Sequence, residues 1–155
     1  MDAELATLCQ SCGLCCDGSL FGRVPLGRGE VAGARKHRLR VLGDARGFEQ
    51  PCAALSERDT RAGTRRACRI YDERPRSCRS FACRLYDRYR REGGPLAPRL
   101  AAVRRVRQLV AELRAQRLTP ADFDDDSRGR PRPDARAMRM HAELLTRLEE
   151  DFARA

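Results

Sequence analysis

The chain has no tryptophan, only three tyrosines and five phenylalanines, a single lysine at Lys36, and two histidines at His37 and His141. It also lacks any apolar run approaching membrane-spanning length, and no cysteine follows Cys83. Each shortage excludes something. With so few aromatic faces, single-stranded nucleic acid is poorly served by base stacking. Without a long apolar segment, no membrane-spanning helix is expected. The first nine residues carry Asp2 and Glu4 and lack the basic and apolar regions of a secretory leader, so the expectation is a cytoplasmic chain. Phosphate-cradling glycine loops, a nucleophile elbow and a Ser/His/Asp set are missing too.

What is present is charge and sulfur. The formal net charge of +10 rests on 31 arginines and that one lysine. A charge excess of this kind draws anionic partners, and nucleic acid is retained as a partner class that is not favoured. The count treats thiols as neutral. Two four-thiolate sites on divalent ions would lower the total to roughly +6, so part of the basic excess balances a metal centre.

All eight cysteines fall in the first 83 residues: Cys9, Cys12, Cys15, Cys16, Cys52, Cys68, Cys78 and Cys83. A reducing cytosol turns an even cysteine count away from disulfides and toward metal. Thiolate sulfur suits zinc, iron–sulfur clusters and cuprous copper. Cys9-x-x-Cys12 followed by Gly13 has the form of a zinc knuckle, whereas Cys9, Cys12 and Cys15 at three-residue intervals also match a ferredoxin run. Spacing does not separate the two. Cys15 and Cys16 are adjacent, and in an extended segment neighbouring side chains point apart. They are therefore expected to serve different ions or to bridge two. Cys78 and Cys83 lie about 140° apart on a regular helix, which assigns them to different sites or to a helix end. Two metals are favoured over one.

The expected architecture is α+β, mostly helical with short strands. A cysteine-cluster metal-binding domain over 1–92 is followed by a C-terminal antiparallel helical hairpin over 93–155. Residues 1–21 read as a helical lead, 30–37 as a two-turn helix, and 48–56 and 66–71 as short strands around a polar loop at 56–64. Pro75 opens a helix that runs to about Glu92 and breaks at Gly93, Gly94 and Pro95. Val103, Val106, Val110 and Leu113, widened by Leu100 and Leu109, form an apolar stripe. Met138, His141, Leu145, Leu148 and Phe152, with Leu144, form another, and Asp134 is placed to cap its helix. The hairpin packs on the cysteine half, on a second copy or on a protein partner. The run Asp122, Asp124, Asp125 and Asp126 lacks calcium-loop spacing and reads as a solvated loop. Asp17 reads as the start of the turn at Gly18 rather than an oxygen ligand. His141 reads as core or interface, and His37 as a solvated side chain or a spare ligand.

Three segments together carry a resemblance. They are Cys9-x-x-Cys12-Gly13-x-Cys15-Cys16, then Pro51-Cys52-x-x-Leu55, then Cys68-Arg69-Ile70-Tyr71-x-x-Arg74-Pro75-x-x-Cys78-Arg79-x-Phe81-x-Cys83. Over residues 9–87 the chain resembles the YkgJ-type cysteine-cluster family, a zinc- or iron-chelating domain, although its segment 56–67 is longer and richer in arginine than that family's pattern. The resemblance implies that all eight cysteines are metal ligands, with Tyr71, Arg74, Pro75, Arg79 and Phe81 shaping the site. It further implies zinc (two ions), iron or an iron–sulfur cluster as the cofactor. Flagellin lysine N-methylase is similar through the same motif, which brings in an iron-dependent redox or protein-modifying enzyme as a second expectation. An arginine-rich nucleic-acid-binding module on structural zinc is the third.

Overall fold

The computed structural model describes residues 3–118, 120–123 and 132–153. Helix α1 (Ala3–Cys12) buries Leu5 and Leu8 on one face. It stops at Gly13, whose φ of 68° lets its N–H return to the Cys9 carbonyl at 3.1 Å. A Cβ at Gly13 would also collide with the Arg66 side chain, so both the backbone and the space require glycine.

Two small antiparallel sheets follow. Strands β1 (Arg23–Pro25) and β2 (Gly47–Glu49) pair Val24 with Phe48, and α2 (Val31–Lys36) lies between them in sequence. Strands β3 (Leu55–Thr60) and β4 (Gly63–Cys68) form a hairpin where the sequence reading places a polar loop at 56–64. That difference has a simple cause. Most of the hairpin is exposed, so it carries no apolar alternation to read. It is held by cross-strand polar pairs instead: Arg66 meets Glu57 at 2.7 Å and Thr64 meets Asp59 at 2.8 Å, each pair directly opposed in register.

The helix expected from Pro75 to Glu92 is two helices, α3 (Arg76–Ser80) and α4 (Arg84–Glu92). Phe81 leaves the helical path for an extended conformation and packs edge-on against Phe21, with ring centroids 5.0 Å apart. Gly93 and Gly94, both at positive φ, then turn the chain into α5 (Leu96–Ala115), and Arg99 secures the turn by donating to the Gly93 and Pro95 carbonyls. Helix α5 buries Val103, Val106, Leu109, Val110 and Leu113, the stripe expected of it. Helix α6 (Ala135–Arg147) starts at the Asp134 cap, whose carboxylate accepts from Ala137 N at 2.7 Å. Its last turn continues as a π-helix, Leu148–Phe152.

The buried face of α6 differs from the expected one. Ala137, Met140 and Phe152 are buried and Leu144 packs beside them, whereas Met138 and Leu145 are 47% and 53% exposed. A small residue at 137 lets α6 approach α5 closely, an advantage that hydrophobicity alone does not register. Asp124, Asp125 and Asp126 lie outside the described residues. The architecture is thus α+β, with helices dominant and two short sheets.

Of its three apolar clusters, one joins α5 to α6 through Leu109, Leu113, Ala137 and Met140, and the other two carry cysteines. The larger joins Leu5, Leu8 and Leu14 to Leu85, Tyr89, Val103, Val106, Val110 and Phe152. The smaller holds Val24, Ala34, Leu39, Phe48 and Ala54. Asp17 is buried, its carboxylate paired with Arg107 of α5 and 3.7 Å from Arg114.

Candidate metal centre

All eight cysteines are free thiols. They arrive from separate segments, each fixed by its own local bonds. Cys9 and Cys12 occupy the last turn of α1, and Cys15 and Cys16 the turn beyond Gly13, where Cys16 N and Asp17 N both donate to the Gly13 carbonyl. Cys52 follows the cis Gln50–Pro51 peptide and donates its N–H to the Cys16 carbonyl at 2.8 Å. Cys68 ends β4 opposite Leu55. Cys78 sits within α3, whose start is tied down by Glu30 accepting from Arg76 N at 2.6 Å and by Ser77 donating to the Pro25 carbonyl at 2.9 Å. Cys83 caps α4, its sulfur accepting from Tyr86 N at 3.4 Å.

The apolar clusters sort these thiols. Cys12 and Cys83 pack against the larger cluster, whereas Cys52, Cys68 and Cys78 pack against the smaller. Electrostatics links them across the clusters as well. Cys9 feels the charges of Cys83 and Cys16, and Cys12 those of Cys83 and Cys9. Cys52, Cys68 and Cys78 each feel Cys16, and Cys78 also feels Cys52 and Cys68. Packing away from water, followed by these like charges, pushes Cys9 up to about 11 and Cys78 up to about 12. Cys12 is also pushed up to about 12, and Cys52, Cys68 and Cys83 are raised, with burial the main cause in each. Cys16 is raised most strongly, through its hydrogen bond with Cys15 and then through burial.

The adjacent pair corrects the expectation of an extended segment. Cys15 and Cys16 lie in a turn, and their sulfurs are 3.7 Å apart instead of pointing away from each other. That separation is close to the ligand–ligand edge of about 3.8 Å in a tetrahedron with metal–sulfur bonds of about 2.3 Å. Soft donors at such a spacing fit zinc or iron. As they stand, however, no three Cys, His, Asp or Glu side chains among the described residues are gathered tightly enough to hold an ion.

Arg74 lies beside both groups, easing the charge on Cys9, Cys16, Cys68 and Cys78. Its guanidinium stacks 3.7 Å from the Tyr71 ring centre and donates to the Tyr71 carbonyl at 2.8 Å. Arg79 donates to the Arg74 carbonyl at 2.6 Å, and Pro75 is buried beside it. Two nearby residues carry no signal in the cysteine motif. Tyr86 is raised by burial and by Cys9, and Arg107 offsets charge at Cys12 while pairing with Asp17. Arg107 and Arg114 are seven apart on α5, a spacing that puts both on one face, but their target is about 90 positions earlier in the chain.

The histidines stand apart from the thiols. His37 is half-buried rather than solvated, 3.1 Å from Glu73, and His141 stacks on Phe123 at 3.8 Å. Asp17 Oδ1 accepts from Ser19 N at 2.8 Å, forming the expected turn.

A small, thiol-rich α+β chain with Cys12 and Cys83 packed on one apolar cluster and Cys52, Cys68 and Cys78 on another defines a class of cysteine-cluster protein. The chain belongs to the CxxCxxCC family, whose model matches residues 8–93 and is described as a "putative zinc- or iron-chelating domain". No curated protein and no solved structure matches it. Among the described residues, no helix is long and apolar enough to cross a membrane.

Proposed function

We propose that this protein chelates zinc or iron through the thiolates of Cys9, Cys12, Cys15, Cys16, Cys52, Cys68, Cys78 and Cys83, with two sites. The observation that carries this reading is the crowding of free thiols from separate segments, where burial and then the like charge of neighbouring thiols raise the cost of the Cys9, Cys12 and Cys78 thiolates. A cation reverses that sign, making each neighbouring thiolate an asset. Bound metal would supply cross-linking of the strand side and, for iron, electron transfer as well. Arg74 would hold compensating charge beside the thiolates, with Tyr71 and Arg79 fixing its position.

Elemental analysis and an absorption spectrum on protein purified without oxygen and without a metal-affinity tag test the reading. About two zinc ions per chain and no colour, or iron with visible sulfur-to-metal absorption, are the expected alternatives. A reduced, folded chain that carries neither metal, and takes up neither when offered, sinks it.

A further inference from the structure

Helix α6 turns one apolar face toward α5, where Ala137 and Met140 are buried, and a second one toward solvent. Met138 and Leu145 lie on that second face, 47% and 53% exposed, and Ala135 and Ala142 beside them are exposed too. These four residues recur at intervals of three, four and three, the spacing of a helix–helix seam. The strip they form runs about 15 Å along the helix axis. Single apolar residues are ordinary on a protein surface, but four in successive seam positions make one continuous strip. The charges on the same helix are a second oddity. Beyond the capping Asp134, the start of α6 carries Arg136 and Arg139, and its π-helical end carries Glu149 and Glu150. That polarity is the reverse of what the helix dipole favours. Intramolecular contacts answer only part of it: Arg136 reaches Glu112 at 3.1 Å and Glu149 reaches Arg84 at 3.3 Å. Arg139 and Glu150 have no ion partner among the described residues.

We propose that the outward strip of Ala135, Met138, Ala142 and Leu145 is a self-association surface, on which α6 of a second copy of this chain packs antiparallel. The occupant is a second copy because the strip and its charges complement themselves. A two-fold axis at the middle of the helix runs the two strips in opposite directions. It sets Leu145 of each copy against Ala142 of the other, a large side chain over a small one, so the backbones approach closely. It also lays the arginine end of each helix beside the acidic end of the other, with Arg139 facing Glu150. Each dipole then meets charge of the sign it favours. A parallel pair would instead bring arginine to arginine and alanine to alanine. None of the eight cysteines lies on α6, so the pairing stands independently of any metal.

Sedimentation equilibrium of the full-length chain tests this, with a phosphine reductant present to exclude disulfide cross-links. The wild type should pass from monomer to dimer as its concentration rises to about 100 μM, as expected of a small interface. Met138→Ser and Leu145→Ser should each weaken the dimer about tenfold, while the circular dichroism and melting of the dilute monomer stay unchanged. Arg139→Glu and Glu150→Arg should each weaken it by a similar factor, because each places like charges together twice in the symmetric pair. The two reversals combined should restore the affinity to within about threefold of wild type. Should a serine variant melt early, the charge reversals, which lie off the strip, still decide. A wild-type chain that stays monomeric at about 1 mM overturns the proposal and leaves the strip to a different protein. A dimer indifferent to both serine variants overturns it as well, by placing the interface elsewhere. A dimer that needs the strip but is not rescued by the combined reversal refutes the antiparallel arrangement.

Discussion

The two sides of this molecule are built on different physical resources. The helical side buries nine apolar residues in its main cluster and draws them from helices as long as the 20-residue α5. The strand side buries five, two of them alanine, and its paired strands β1 and β2 are three residues each. Apolar burial contributes about 25 cal/mol per Å², so the first side has a conventional core and the second does not. Three thiols, Cys52, Cys68 and Cys78, line the weaker cluster. If these three bind metal as proposed, ligation adds support on the side where hydrocarbon is short.

Removing metal is the strongest way to break this comparison. Structural zinc contributes about 10–16 kcal/mol in small thiolate-rich peptides. Chelator treatment under reducing conditions should therefore abolish amide protection in β1, β2 and α2 while α5 keeps most of its own. Hydrogen exchange followed residue by residue checks it. Equal loss of protection in α5 would show that the two sides unfold as one unit and that the contrast in cores has no thermodynamic meaning.

A smaller effect probes the tie between the sides. Asp17 follows the cysteine turn directly, yet its buried carboxylate is paired with Arg107 of α5, and Arg107 also lies 3.6 Å from Glu57 of the hairpin. Removing one member of a buried pair leaves an uncompensated charge, at a cost of about 3 kcal/mol. Asp17→Ala should lower the unfolding free energy by about that much. Asp17→Ala combined with Arg107→Met should recover part of the loss. Denaturant melts of the double-mutant cycle measure the coupling, and additive single-mutant effects would remove Asp17 from the connection between the two sides.

Much of the helical side was legible in the sequence, and so was the set of candidate thiols. The α5 stripe, the Asp134 cap, the Gly13 turn and the positions of all eight cysteines follow from local chemistry that needs no partner. What escaped depended on contacts remote in sequence or on backbone pairing alone. The β3–β4 hairpin is stabilised by polar pairs on solvent-facing strands, so periodicity had nothing to detect. The break between α3 and α4 depends on Phe81 meeting Phe21, some sixty residues away. The buried face of α6 was chosen by the small Ala137 over the larger Met138. The Cys15–Cys16 turn escaped because alternation of side chains was assumed for a segment that is not extended. In each case a tertiary contact overrode a local rule.

The smallest effect lies wholly on the helical side and serves as its control. Glu143 of α6 sits between Arg105 of α5, at 2.9 Å and 2.5 Å, and Arg147, at 2.8 Å. Hydrogen bonds from Arg105 and then Arg147 hold its carboxyl well below the usual range, at about 2. A depressed carboxylate contributes stability that is present above its unfolded value near 4.5 and lost as pH falls toward 2. Glu143→Gln should thus lower the melting temperature slightly at neutral pH, and the gap from wild type should close between pH 4.5 and 2. The comparison belongs on metal-stripped protein, followed by its helical signal, because acid also protonates thiolate ligands and would mix the two effects. A gap that persists unchanged at pH 2 would mean that Glu143 acts through packing rather than charge. A gap that depends on bound metal at neutral pH would mean that the α5–α6 contact senses the strand side, and the division between the two resources would be less sharp than their cores imply.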